Sequence, residues 1–472
     1  MKEISPKEIN LRLSLDNPWW DGGLQALGRY EKWPKRAYLE EFYKQIQKRD
    51  VCRAVILMGP RRVGKTVMVH HAIQRLLQDG VPANQILYLS LETPVYTGQS
   101  LENLIGYFRE QFHHDLNTPL SIFFDEVQYL KNWEIHLKSL VDSYPDYKFI
   151  ATGSSAAALK LKSHESGAGR FTDFMLPPLT FYEYLLFINR TNLVNEKVTA
   201  GGEKYFTTEN IVMLNEELIN YLNFGGYPEA VFSPDVQKDS GRYIKSDIID
   251  KVLLRDLPSL YGISDIQELN HLFTTIAYNT GNEVSLDALS KSSGVVKNTL
   301  KRYIEYLEAA FLIKRVRRIN ENAKHFQREM AFKVYLTNPS MRAALFGPIH
   351  ESDEAAGHLI ETAIFSQWTH HFSLVNNTYY ARWKKGEVDI VKVNPHDQKI
   401  TDLIEVKWSD RSYEHGEKLD GVTDFASRNK FVKPILVTSR TKSGTKKING
   451  LEFEFHPSAL YCYAISRQIF FS

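Results

Sequence analysis

AVILMGPRRVGKT, residues 54–66, is the stretch from which the fold can be read. AVILM is a short apolar run of the buried-strand type, Gly59 and Gly64 bracket a loop, and VMVHHAIQRLLQ from residue 67 has helical spacing. The same alternation continues downstream. QILYLSL (85–91), LSIFFDE (120–126) and YKFIATGS (147–154) read as strands, while LENLIGYFREQFHH (101–114) and WEIHLKSLVDSY (133–144) read as helices. Strands that alternate with helices in this way pair in parallel and are covered on both faces, so the class is α/β. After PPLTFYEYLLF, at about residue 187, the text turns mostly helical until about 345. EAAGHLIETAIFSQW (354–368) is then followed by strand runs around LVNNTYYARW, VDIVKV, DLIEVKW and KPILVT, which suggests a separate α/β or α+β domain.

Composition narrows the class. A chain of 472 residues can bury several cores. Its 58 basic residues against 56 acidic ones give no global argument for nucleic acid. Two cysteines, Cys52 and Cys462, cannot make a disulfide framework and fit a reducing compartment. MKEISPKEINLRLSL lacks the uninterrupted apolar segment of a signal peptide, and no run approaches the ~18 apolar residues of a membrane span. The expectation is a cytoplasmic protein without a membrane partner.

The loop GPRRVGKT sits between strand and helix, the context in which this spacing holds phosphate. Gly59 and Gly64 let the backbone of Pro60, Arg61, Arg62 and Val63 fold into a nest of N–H groups, with the positive end of the helix behind it. Lys65 is expected to reach the β- and γ-phosphates of ATP, and the Thr66 hydroxyl to hold Mg²⁺. SIFFDE ends an apolar strand in Asp125 and Glu126; Asp125 would orient the metal and Glu126 would polarise the attacking water. The bland alternative is an acidic pair favoured by a helix N-terminus.

GPRRVGKT, FFDEVQYL with Trp133 after it, FIATGSS, GGYPEAV (225–231) and LLRDL (253–257) together resemble a bacterial and archaeal AAA+-type ATPase family, AAA_14-like. Its members pair an AAA domain with a DUF4143-like C-terminal domain that resembles restriction endonucleases. The resemblance implies sensor-1 duty for Ser154 in the TGSS turn. It also implies an arginine at the γ-phosphate, Arg170 in GAGRF or Arg255 in LLRDL, with a structural salt bridge as the alternative for each. An arginine acting on a neighbouring copy would make hydrolysis depend on a homo-oligomer. The implied architecture is a P-loop AAA+ ATPase with a parallel sheet, a helical lid and a winged-helix region, then a restriction-endonuclease-like α/β domain. The corresponding segments are 1–50, 51–187, 188–265, 266–345 and 346–472.

VSLDALSKSSGVVKNTLKRYIEYLEAAFLIKRVRRIN (284–320) reads as helix, Gly294 turn, helix and wing strand. Its second helix would offer Lys297, Asn298, Lys301 and Arg302 to DNA. Segment 291–333 holds eleven Lys or Arg against four acids, a local basic patch on a neutral chain. A packing module with a solvated basic face is the competing reading.

Near the C-terminus, GEVDIVKV (386–393) and DLIEVKW (402–408) place Asp389 in one strand and Glu405 with Lys407 two residues apart on one face of the next. Glu361 lies among apolar residues of the preceding helix. Acid on a helix, acid on a strand and then E-x-K resembles the PD-(D/E)xK nuclease core. The resemblance implies that Asp389 and Glu405 hold Mg²⁺, Lys407 helps activate water and Glu361 completes the shell. A cross-strand ion pair is the alternative. Three functions stay in play: an ATPase driving a DNA-cleaving domain, a DNA remodeller with a non-cleaving nuclease-like domain, and a switch that binds a protein partner.

Overall fold

The apolar runs of the first third become strands because polar residues fall mainly at their ends. In the structure, a computed structural model describing residues 4–153, 169–199, 201–202, 204–324, 331–368, 377–384 and 386–468, these are β1 (Ala54–Met58), β2 (Ile86–Ser90), β3 (Ser121–Asp125), β4 (Lys148–Gly153) and β5 (Phe171–Met175). All pairings are parallel, in the order β2-β3-β4-β1-β5. Helices Leu101–Phe112 and Trp133–Ser143 bury Leu104, Phe108, Trp133 and Leu137 against Ile56, Leu87, Ile122 and Phe149 of the sheet.

β2 ends this sheet, and an edge strand must be covered or it invites foreign pairing. The N-terminal segment covers it. Helix Pro6–Asp16 is started by a capping box, in which Ser5 and Glu8 satisfy each other's backbone amides. Asn17 then bonds both polar groups of Tyr88, with its Nδ2 donating to the carbonyl at 2.9 Å and its Oδ1 accepting from the amide at 2.6 Å. The indoles of Trp19 and Trp20 donate to the Ile86 carbonyl at 3.2 and 2.8 Å. NPWW therefore packs onto the sheet.

The chain divides into two compact units, Met1–Pro177 and Pro178–Ser472. The expected boundary at 187 falls ten residues later. Phe181, Tyr184, Leu185 and Phe187 are buried with Leu214, Leu218 and Tyr221 of the second unit, whose helix Ile211–Phe224 they face. This unit also carries a hairpin, β6 (Asn195–Val198) with β7 (Lys204–Thr207).

Among the described residues its main sheet has nine strands. β8 (Glu283–Ser285), β9 (Ile313–Ile319) and β10 (Ala331–Leu336) belong to the expected winged-helix region. β11 (Thr378–Trp383), β12 (Gly386–Val393), β13 (Ile400–Glu405), β14 (Ile435–Ser439), β15 (Gly444–Ile448) and β16 (Leu451–Pro457) follow it. The order is β15-β16-β14-β13-β12-β11-β9-β10-β8, and β9 pairs in parallel with β11. The sheet thus runs across the boundary expected at 345. Helix Ala356–Trp368 precedes the antiparallel β11-β12-β13 meander, and helix Asp420–Arg428 leads to β14, parallel beside β13.

Candidate functional site

The phosphate loop is built by steric necessity at two glycines. A Cβ on Gly59 would lie 2.0 Å from the Leu176 carbonyl oxygen, so no side chain fits there. Gly64, at φ 92°, caps helix Lys65–Gln78 in the left-handed region. Val63 is buried, and its carbonyl accepts from the Arg36 guanidinium at 2.7 Å, which also reaches the Pro177 carbonyl at 2.9 Å. Arg36 thereby ties the loop to the end of the unit. Pro60 is buried, Arg61 half-buried and Arg62 exposed at φ 63°. The Lys65 ammonium lies on the carbonyls of Gly59 (3.0 Å) and Pro60 (2.8 Å), within the loop it is expected to share with phosphate.

Asp125 ends β3 next to this loop. Its carboxylate accepts from the hydroxyls of Thr66 (2.8 Å) and Tyr88 (2.9 Å), and from Thr152 at the end of β4. Burial pushes its carboxyl above the usual range, Glu126 adds to that, and the three hydroxyls oppose it. Glu126 turns out of the strand at φ 57°, its amide donating to the Thr152 hydroxyl at 3.2 Å. The donor set fits Mg²⁺–nucleotide: a hydroxyl and a carboxylate converge beside a helix N-terminus that has no side-chain cap. Tyr88 and Thr152 escaped the sequence reading. Thr152 stands near the C-terminal end of β4, where α/β sheets place their sites, whereas Tyr88 reaches Asp125 from the middle of β2, a position no local signal marks. Ser154 lies outside the described residues.

A second constellation forms in the other unit. Glu361, Asp389, Glu405 and Lys407 do come together, on the wall of a cavity of about 810 Å³. The Lys407 ammonium bonds Glu405 at 2.5 Å and stands 3.7 Å from Asp389, whose Oδ2 also accepts from the Val406 amide at 3.0 Å. Thr438 fixes the Lys407 backbone by accepting from its amide at 2.8 Å. Lys333, which the sequence reading counted only in the basic patch, enters the centre. Its ammonium meets Glu361 at 2.9 Å, Glu387 at 2.8 Å and Asp389 at 3.2 Å. The Tyr335 hydroxyl donates to Glu361 at 2.6 Å.

Burial pushes Glu361 up to about 7 and Glu405 up to about 8, against the pull of the lysines. Burial also acts to raise Asp389, but Lys333 and Lys407 overcome it and hold this carboxyl below its ordinary value. Both lysines lose solvation, yet their carboxylate neighbours more than offset this and keep them charged. The expectation of a metal on Asp389 and Glu405 meets a different arrangement. Among the described residues no group of three or more His, Cys, Asp or Glu side chains is disposed to hold a metal ion. An ammonium stands among the carboxylates instead.

Comparison with known proteins bears on the first unit. Residues 52–185 match the AAA_14 family model, an AAA domain. This part of the chain is similar to AAA domains. Residues 215–351 match a domain of unknown function, DUF8612, a segment that ends before Glu361. The chain is 24% identical over 375 residues to an uncharacterized protein of Methanocaldococcus jannaschii, covering 76% of each. It is also 24% identical over 322 residues to one of Haemophilus influenzae, covering 66% of this chain and 72% of that protein. Among solved structures, the Walker-type ATPase PABY2304 of Pyrococcus abyssi aligns with a TM-score of 0.38 at 17% identity, over 66% of this chain and 94% of its own. The ORC2 protein of Aeropyrum pernix aligns with a TM-score of 0.38 at 13% identity, over 70% of this chain and 93% of its own.

The two arginines do not complete the AAA site within its unit. Arg170 immediately precedes β5, at the sheet edge opposite the phosphate loop, because β1 and β5 run in parallel and Ala54 pairs with Phe171. It is an exposed residue bonded to Asp142 on helix Trp133–Ser143. Arg255 is exposed on the helical stretch Val252–Asp256 of the second unit. In the 284–320 segment, helices Leu286–Ser293 and Lys297–Ala309 flank Gly294, whose φ of 75° makes the turn. Lys297, Asn298, Lys301 and Arg302 are all exposed. The basic patch is smaller than its count, however: Lys297 pairs with Asp287, Arg315 with Glu308 at 2.6 Å, and Lys333 is buried. No described helix is long and apolar enough to cross a membrane.

Proposed function

We propose that this chain is a Mg²⁺-dependent ATP hydrolase whose second unit acts on DNA. One observation carries the hydrolase reading: the Thr66 hydroxyl and Asp125 carboxylate meet at 2.8 Å where a glycine-bracketed loop opens into a helix. Thr66 and Asp125 would hold Mg²⁺, which would supply charge neutralisation for the phosphates. Lys65 leaves the loop carbonyls for the phosphate oxygens, and loop amides complete the cradle. Glu126 positions the attacking water and accepts its proton. Replacing Glu126 with Gln is expected to lower phosphate release by about 100-fold or more while nucleotide affinity persists. Unchanged turnover would remove Glu126 from this role.

DNA as the partner is supported by the exposed Lys297, Asn298, Lys301 and Arg302 on one helix after a tight turn. Phosphodiester cleavage is supported by the meeting of Asp389, Glu405 and Lys407 on a helix–meander–helix–strand scaffold. A second reading, a DNA remodeller that grips without cutting, is favoured by the Lys333 ammonium among Glu361, Glu387 and Asp389. Adding duplex or branched DNA in Mg²⁺ distinguishes them. Stimulated ATP turnover with strand scission that disappears in Asp389→Ala and Lys407→Ala supports cleavage. Stimulation with intact strands supports the grip, and turnover indifferent to DNA points to a protein partner.

A further inference from the structure

We infer that Lys333 is itself the cation of the C-terminal acid cluster, so that the native chain holds no divalent ion there. Lys333 lies in β10 between the buried Phe332 and Val334, and is 3% exposed. A charge at an interior strand position is tolerated only where fixed counter-charges replace the lost water. Three carboxylates supply them within 3.2 Å: Glu361 from the helix, Glu387 and Asp389 from one face of β12. The face of the Tyr380 ring, 5.7 Å from the ammonium, adds a further attraction.

Four carboxylate oxygens of the cluster already accept hydrogen bonds from the protein. Asp389 Oδ1 accepts from Lys333, and its Oδ2 from the Val406 amide with Lys407 beyond. Glu361 Oε1 accepts from both Lys333 and Tyr335, and Glu405 Oε1 accepts from Lys407. A divalent ion among these groups would stand against an ammonium that cannot move aside along the strand without leaving the carboxylates. Lys333 therefore fixes what the site can bind, and removing its charge should create the metal site that the carboxylates alone would form.

The inference agrees with the reading in which the second unit grips DNA without cutting it, since cleavage of this kind would use a divalent ion, and its test needs neither DNA nor ATP. Mn²⁺ binding is measured by electron paramagnetic resonance on nucleotide-free full-length protein carrying Lys65→Ala, which silences the phosphate loop. Lys333→Met is expected to bind Mn²⁺ at least about tenfold more tightly than the parent, and the gain should vanish when Asp389→Asn is added. Should Lys333→Met fold poorly, the charge-relieved pair Lys333→Met with Glu387→Gln takes its place, and a Mn²⁺-dependent rise in its melting temperature reports the same gain. Mn²⁺ bound by the parent and lost in Asp389→Asn would overturn the inference. So would folded Lys333 variants with no gain. Failure of DNA cleavage in every variant would sink the cleavage reading and leave the role of Lys333 intact.

Discussion

Glu405 and Asp389 share the environment of one β-strand pair and yet titrate in opposite directions. Asp389 is held between two ammonium groups and stays below its ordinary pKa, whereas Glu405, buried beside Asp389, rises to about 8. The consequence for stability has a definite sign. Below its ordinary value of 4.5, Glu405 is protonated in both folded and unfolded chains. Between that value and about 8 the unfolded chain has released the proton and the folded chain keeps it, so stability falls as pH rises. Glu361, raised to about 7, acts in the same sense, while Asp389 would contribute only at pH values below this window. The melting temperature of the native chain should therefore drop between about pH 5 and 8, and Glu405→Gln should flatten that drop. Parallel curves for the two proteins would show that Glu405 does not titrate there.

At the scale of elements, the N-terminal helix and its tryptophans cover the open edge of β2. Asn17 satisfies the amide and carbonyl of one buried strand residue, as a neighbouring strand would. Asn17→Ala leaves both groups without partners and is expected to cost about 3 kcal/mol, read from denaturant unfolding of the full chain. A loss within about 0.5 kcal/mol would mean that water replaces Asn17 and that the edge needs no cover. The GGYPEAV motif has a comparable packing role. A Cβ on Gly226 would meet Asn338 Oδ1 at 2.3 Å and Ser340 Oγ at 2.7 Å, so this glycine is explained by the polar network beside it.

For the molecule as a whole, the nine-stranded sheet decides what can fold alone. A fragment spanning 346–472 would expose the β11 edge that β9 occupies and would leave Glu361, Glu387 and Asp389 without Lys333. It should aggregate or melt without cooperativity, whereas 178–472 should unfold in a single sharp transition by calorimetry. A stable, monomeric 346–472 fragment would show that the sheet's continuity across 345 is incidental. In the first unit, nucleotide binding should raise the unfolding temperature, by about 2.7 kcal/mol of added stability at one hundred times the dissociation constant, and Lys65→Ala should abolish that rise.

What was legible in the sequence is whatever local spacing encodes. The strand–loop–helix rhythm, the paired acids closing an apolar strand, the glycine turn between two helices and the shared face of Glu405 and Lys407 all follow from periodicities of a few residues. AFKVYL did carry a hint, since a lysine inside an otherwise apolar strand has to find a counter-charge, and Glu387 stands two positions before Asp389 on the same face. No local pattern could name the partners. Lys333 meets Glu361 across 28 positions and Asp389 across 56, and those meetings exist because β9 lies between β10 and β11. Strand order is a property of how whole elements bury their faces together. The nucleotide cradle was thus determined by the sequence itself, while the identity of the cation in the acid cluster was decided only when the sheet closed around it.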